Sequence, residues 1–421
     1  MILIKNGRVL NAKTKMDQIL DILIDKNTII KLEENIEIND IEMIIDADGK
    51  IVSPGFIDVH VHFRDPGFTY KEDILTGSNS AARGGFTTVV CMANTNPVVD
   101  NEETLKYIIN KCKKSKINVL QTAAITRGLD GKVLVDMNNL KSLGVVGFTD
   151  DGVSLMDCDV VLDAMMRANE LDVPLSFHEE DPCFVVTAGI NDGEVSEMLG
   201  IKGASHLAED LMVARDCILA MESKAKINIQ HLSSGNSVDL IRFAKAHGAN
   251  ITAEVSPHHF SLTEEAIIKY GTNGKMNPPL RDEENRLRLI EGLKDDTIEI
   301  IATDHAPHSL EEKDREFTKA PSGIIGLETS LALGITNLVR EGHLSLMKLI
   351  EKMTVNPAKL YNLSSGSIEV NKVADIVIFD PDEKWVVKDF YSKSSNSPFI
   401  GCELYGKVKY TICNGKIVYQ C

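Results

Sequence analysis

Residues 56–67 read Phe-Ile-Asp-Val-His-Val-His-Phe-Arg-Asp-Pro-Gly, and this run decides the fold. The residues leading into it alternate and are rich in Val and Ile, the pattern of a strand. Side chains two apart on a strand share a face. His60 and His62 therefore aim at one point, as two imidazole ligands of a single metal ion must. Arg64 follows at the same parity, where a cation can meet an anionic substrate. Pro66-Gly67 then ends the strand. Two histidines spaced in this way near the start of a long chain point to a metal-dependent hydrolase.

The strand belongs to a series. Eight strand candidates are read at 51–62, 86–93, 117–126, 144–151, 173–180, 227–234, 250–259 and 298–307. Helical patterns separate them at 102–113, 160–171, 206–224, 238–247 and 284–293, and another follows from 328. Eight β/α units in about 300 residues match the size of a (β/α)8 TIM-like barrel. A doubly wound open sheet competes with it. The two ends differ from the middle. Residues 1–50 and 366–421 give short β runs punctuated by Asn6-Gly7, Asp48-Gly49 and Asn414-Gly415. Neither end holds enough strands alone. Together they are expected to form one small β-sandwich domain, with residues 51–365 inserted as the barrel.

The polar residues favour the barrel. Strand one ends at His60, His62 and Arg64, and strand two at Asn94. Strand four ends at Asp150-Asp151, strand five at His178-Glu179-Glu180, and strand six at His231. Strand seven ends at His258-His259, and strand eight at Asp304-His305-Ala306-Pro307-His308. In a barrel these carboxyl ends form one face, where barrel enzymes keep their active sites. His60, His62 and Asp304 can hold one ion, and His178 and His231 a second. Asp151 or Asp150 can bridge the two. Such donors suit Zn²⁺, one or two ions per subunit, with Mn²⁺, Co²⁺ or Fe²⁺ as substitutes. His258, His259 and His305 are candidates to support the ligands from behind. His206, His247 and His343 read as surface residues. Gly84-Gly85 reads as a helix stop before strand two. The charged stretch Ser309–Pro321 reads as a solvated loop, placed to serve as a lid.

Composition narrows the function classes. The net charge is −17, with a pI near 5.1. So acidic a surface disfavours nucleic acid and anionic membranes. It does not oppose an anionic small molecule, because a metal and one Arg reverse the field locally. Eight cysteines without a Cys-x-x-Cys pair suit reduced thiols. No signal peptide or membrane-length apolar run is read, so a cytoplasmic protein is expected.

The chain resembles the dihydroorotases of the amidohydrolase superfamily, of the long bacterial type, over essentially its whole length. The motifs that carry this are Asp58–Gly67 followed by Lys71-Glu72-Asp73, then Met92-Ala-Asn-Thr-Asn-Pro97, Lys275–Arg281, and Ala302–His308 extending to Lys313. The resemblance implies reversible cyclisation of N-carbamoyl-L-aspartate to L-dihydroorotate in pyrimidine (UMP) biosynthesis, by a metal-held hydroxide and an Asp proton shuttle. It implies His60 and His62 on the first metal, His178 and His231 on the second, and Asp151 as the bridge. Asp304 is the implied proton shuttle as well as a ligand. Arg64, Asn94 and His308 are implied contacts of the substrate carboxylate, Asn277 a contact of the ring, and Ser322-Gly323 part of a loop over the substrate. Hydantoinases and allantoinases, otherwise similar, carry a carboxylated Lys on strand four, where this chain has Asp150-Asp151. Two other readings stand beside this one: another cyclic-amide hydrolase, or a non-catalytic partner of aspartate carbamoyltransferase. A homodimer is the symmetric default, and association with that transferase is compatible with an active enzyme.

Overall fold

The structure, a computed structural model, describes residues 1–39 and 41–421. It is α/β. The chain starts with β1 (Ile2–Asn11), β2 (Met16–Asp25), β3 (Thr28–Glu33), β4 (Met43–Asp46) and β5 (Ile51–Pro54). Eight short strands follow: β6 (Phe56–Val61), β7 (Phe86–Cys91), β8 (Asn118–Gln121), β9 (Phe148–Thr149), β10 (Leu175–Phe177), β11 (Ile227–Ile229), β12 (Ile251–Val255) and β13 (Ile300–Ile301). The chain closes with β14 (Ile376–Val386), β15 (Glu403–Cys413) and β16 (Lys416–Gln420).

Each expected middle strand contains one of β6–β13, and all are parallel to their neighbours. They form a three-stranded sheet, β6-β7-β8, and a five-stranded sheet, β9 to β13 in order. Parallel bridges cross both gaps between the sheets, Ala123 to Phe148 and Val61 to His305. Backbone bonds reinforce them: Thr149 N–H donates to Ala123 O at 2.8 Å, and His62 N–H to His305 O at 2.9 Å. Both faces of β6 are buried, which explains its near-continuous apolar sequence.

Helices lie between the strands and start where the sequence caps them. Asn101 accepts the Thr104 N–H and opens Glu102–Cys112, whose Leu105 and Ile108 are buried. Asp282 caps Glu283–Lys294, which buries Leu289, Ile290 and Leu293. Helix Ile74–Arg83, of which the sequence showed only the stop at Gly84-Gly85, has a capping box at Asp73 and ends at Gly84. Its buried residues are mostly small (Gly77, Ser78, Ser80, Ala81, Ala82), so an apolar period was hard to see.

Both chain ends join in one hydrogen-bonded sheet, ordered β16-β15-β14-β5-β1-β2-β3, with β4 also paired to β1. Ile4, Val9, Ile22, Ile24, Val52, Ile376, Ile378 and Ile412 share its core. Two local readings change. The strand expected over 51–62 breaks at Gly55: β5 pairs with β1 and β14, and β6 with β7. A Cβ at Gly55 would lie 2.2 Å from the Thr87 side chain, so the crossing fits only glycine. Asn6-Gly7 is not a turn but an irregularity inside β1, with Asn6 at φ +60° and its N–H on Asp21 Oδ1 at 2.9 Å. At the junction of sheet and strands, Phe56 stacks edge-on with Phe86 at 5.7 Å and tilts against Phe379 at 6.1 Å.

Candidate metal centre

A cavity of about 260 Å³ opens at the carboxyl ends of the parallel strands. It is lined by His62, Arg64, Asn94, Asp151, His178, His231, Asn277, Asp304, His308, Ser322 and Gly323, with Gly152 and Ala306 between them. His60 lies behind it, fully buried. Every site residue expected from the sequence is thus gathered at one place.

The donors form two groups. His60, His62 and Asp151 offer atoms within 4.8 Å of one another, and so do Asp151, His178 and His231. Asp151 belongs to both. Its Oδ1 is 3.3 Å from His60 Nε2 and 3.9 Å from His231 Nε2, and its Oδ2 is 3.5 Å from His62 Nε2. Asp304 Oδ1 stands 3.1 Å from His62 Nε2 and 3.5 Å from His60 Nε2. Of the two candidate carboxylates, Asp151 faces the imidazoles and Asp150 does not. Asp150 turns away to accept the Ile125 and Thr126 N–H groups and the Thr126 hydroxyl, and burial pushes its carboxyl up to about 6.

These donors suit a divalent metal. His60 Nε2 is buried with no hydrogen-bond partner and faces Asp151 and Asp304. His178 Nδ1 and His231 Nε2 face each other at 2.9 Å. Two nitrogens on one tetrahedral zinc, with bonds of about 2.0–2.1 Å, stand roughly 3.3 Å apart. The electrostatics agree. Burial opposes charge on His60, yet Asp151, Glu254 and Asp304 outweigh it and hold the imidazole well above its usual range. Burial likewise opposes charge on Asp151, but the surrounding imidazoles draw it well below the usual carboxylate range. The field thus favours positive charge at His60, whereas burial, with His178 and His60, holds His231 well below its usual range.

The backbone is strained at three residues that line the cavity. Arg64, His231 and Asp304 adopt φ of +59°, +32° and +47°. Each such residue costs roughly 1–3 kcal/mol and persists only where its surroundings hold it.

Contacts around the centre refine the expected roles. Asn94 Oδ1 is 3.0 Å from His62 Nδ1, and its amide donates to Asp151 Oδ2 at 2.9 Å, so Asn94 orients two of the donors. Arg64 is half-buried among Asp304, Asp151 and Glu312 and donates to Pro307 O at 3.3 Å. His308 Nε2 reaches Ser322 O at 2.9 Å, and Lys71 Nζ stands 3.4 Å from its Nδ1. Asn277 donates to Glu180 Oε2 at 2.8 Å. Gly323 lines the cavity at φ +106°, but its N–H is given to Lys275 O and its carbonyl accepts from Lys313 and Asn396.

The expected lid is docked. Lys275 Nζ donates to Phe317 O and Ala320 O, both at 2.7 Å, and Lys313 Nζ to Pro321 O at 3.0 Å. Both lysines are buried: Lys313 belongs to a segment whose other charged residues mostly face solvent, and Lys275 reaches it from outside.

The sequence reading missed the carboxylates behind the ligands. Glu254 on β12 meets His60 Nδ1 at 2.6 Å. Asp58 accepts the N–H of His60 at 3.0 Å and of Thr303 at 3.2 Å, tying β6 to the end of β13; burial pushes it up to about 7. A charged residue inside an otherwise apolar strand was the available signal for both. His258 and His259 do not support the ligands: His259 holds Ser256 and Pro278 O, and His258 Nε2 has no partner. His305 accepts the Gly326 N–H and faces Glu72 at 3.6 Å.

Larger hollows exist, one of about 730 Å³ bounded by Leu262, Tyr270 and Arg286. Among the described residues, the only grouped donors are the two sets above. No described helix is long and apolar enough to cross a membrane.

The profile of the Amidohydrolase family matches residues 51–418. The chain is 65% identical over 420 residues to a dihydroorotase of Clostridioides difficile, covering 100% of both chains. It is 52% identical over 420 residues to one of Lactococcus lactis, covering 100% of this chain and 99% of the other. Among solved structures it is similar to the L-hydantoinase (dihydropyrimidinase) of Arthrobacter aurescens. That match has a TM-score of 0.89 at 25% identity and covers 100% of this chain and 96% of the other.

Proposed function

The chain belongs to the amidohydrolase family, and from that premise we propose that it is a dihydroorotase. It interconverts N-carbamoyl-L-aspartate and L-dihydroorotate in pyrimidine biosynthesis. The observation that carries this choice is the strand-four carboxylate. Asp151, not a lysine, stands between the two imidazole pairs, beside a half-buried Arg64 suited to an anionic substrate. A hydantoinase reading has the solved neighbour in its favour, but the full-length relatives at 52–65% identity favour dihydroorotase.

The eight parallel strands form a (β/α)8 barrel, a reading supported by the bridges at both gaps. Residues 1–50 and 366–421 make the β-sandwich domain and 51–365 the catalytic one, with β5 as the strand they share. The protein is cytoplasmic and a homodimer, and it is compatible with association with aspartate carbamoyltransferase. Light scattering with and without the transferase checks the last two.

Zinc, one or two ions per subunit, would be held by His60, His62, Asp151, His178, His231 and Asp304 and would supply a Lewis acid and an activated water. The chain's own residues do the rest. Arg64 and His308 hold the substrate carboxylate, Arg64 through paired N–H donors. Asn94 keeps His62 and Asp151 in place. Asn277, Ser322 and Gly323 wall the ring side. In hydrolysis, water adds to the ring amide carbon and the carbon–nitrogen bond breaks. The Asp304 carboxylate takes the proton from that water and gives it to the leaving nitrogen. In synthesis, the same carboxylate takes the proton from the carbamoyl nitrogen as the ring closes and gives it to the hydroxyl expelled from the carboxyl carbon, which leaves as water.

Metal analysis paired with turnover in both directions tests this reading. The enzyme should lose activity on chelation and regain it with zinc. Full turnover without a divalent ion, or faster hydrolysis of a simple hydantoin than of dihydroorotate, would overturn it.

A further inference from the structure

Glu254 on β12 is 1% exposed and makes three contacts. Its Oε1 lies 2.6 Å from His60 Nδ1 and also accepts the His231 N–H at 3.3 Å. Its Oε2 accepts from Asn228 Nδ2 at 3.0 Å. His60 and His231 lie in different donor groups. One buried carboxylate therefore touches both halves of the centre.

A carboxylate only accepts, so the proton of a neutral His60 sits on Nδ1. That leaves the lone pair on Nε2, the atom that faces Asp151 and Asp304 without a partner. Gln230 Nε2, 3.4 Å from His60 Nδ1, is a donor and would favour the opposite tautomer. The carboxylate wins, because its contact is shorter and charge-assisted bonds are about twice as strong as neutral ones. His62 is held in the corresponding way by Asn94, a neutral amide. His231 sits at φ +32°, a strained backbone that needs an anchor, and its N–H points at the same Glu254 oxygen.

We propose that Glu254 is the positioning residue of the metal centre, fixing the His60 tautomer and seating the His231 backbone, so that one ligand of each metal position depends on it. This rests on the metal reading given above. Asn228 in turn fixes the second oxygen of Glu254, and its own Nδ2 reaches Ser176 Oγ at 3.4 Å. His60 and His231 are thereby braced from the strand interior.

The test is zinc affinity, measured by chelator competition and metal content, in the full-length enzyme and in Glu254→Gln. The isosteric amide should weaken binding about 10- to 100-fold at both positions. The melting temperature without metal should stay within a few degrees, which a merely structural role would not leave intact. Nitrogen-15 histidine spectra of the unaltered, zinc-loaded enzyme should place the His60 proton on Nδ1. Unchanged affinity in Glu254→Gln, or a His60 proton on Nε2, overturns the proposal. If the variant does not fold, the spectrum of the unaltered enzyme decides alone. Failure of the unaltered enzyme to bind any divalent ion sinks the metal reading itself, whereas equal binding by both proteins sinks only the role of Glu254.

Discussion

Replacing Arg64 by Met tests how the site recognises an anion. The side chain is half-buried, and the charges around it are Asp304, Asp151 and Glu312. A substrate carboxylate about 4 Å from it gains roughly 4 kcal/mol at an effective dielectric of 20. Lys71 is the nearest other cation to His308, but its Nζ is paired with Glu312 at 2.9 Å, so it compensates only in part. The net loss is therefore about 2–3 kcal/mol, or roughly 30- to 150-fold. Because Arg64 touches the carboxylate and not the reacting amide, the loss should fall on KM, with kcat within about fivefold. Met tolerates the φ of +59° no worse than Arg does, so the melting temperature should hold. Steady-state kinetics with dihydroorotate and with carbamoyl aspartate read both constants. An unchanged KM, or a loss confined to kcat, would refute the anion-clamp reasoning.

Asp304→Asn should keep the fold and lose at least about 10³-fold in turnover, since it removes both a donor and the proton carrier; substantial residual activity would refute the shuttle role. Gly323→Ala places a Cβ 2.7 Å from that of Ala306 at φ +106°, so denaturant unfolding should show a loss of about 1–2 kcal/mol and dihydroorotate a raised KM. Chelation should lower the melting temperature as well as abolish turnover, because the metal binds only the folded chain; a transition unmoved by chelator would count against the centre. Burial, then Lys275, brings Lys313 down to about 7 in the folded protein, while the unfolded chain keeps that proton to about pH 10.4. The unfolded state binds more protons across that window, so Lys313 contributes stability that rises with pH there. Lys313→Met should remove this rise, and parallel stability profiles for the two proteins from about pH 7 to 9.5 would refute it.

The eight parallel strands and the rim residues were legible because seven of the eight strand ends carry His, Asp or Asn where an apolar run stops. His60 and His62 needed only the two-residue period of a strand. What was not legible has physical causes. Gly55 divides one continuous apolar run between two sheets, and no period marks the change of partner. Asn6-Gly7 has the composition of a turn, yet β2 pairs across it and absorbs it. Asp150 and Asp151 are neighbours, so parity at a strand end could not rank them. Only the hydrogen bonds of Asp150 to Ile125 and Thr126 do so. Glu254 lies in the run Ile-Thr-Ala-Glu-Val, where its partner is a histidine 194 residues earlier. A contact of that span leaves no local pattern.

The pairing of β5 with β14, Ile51 against Phe379 and Pro54 against Ile376, sets a timetable for the chain. During synthesis the amino-terminal hairpins emerge first, but one edge of β5 waits for a strand made more than 300 residues later. Contacts of such separation form slowly. Until then β5 offers an unpaired edge to any neighbouring nascent chain, so this seam is where aggregation during expression should begin.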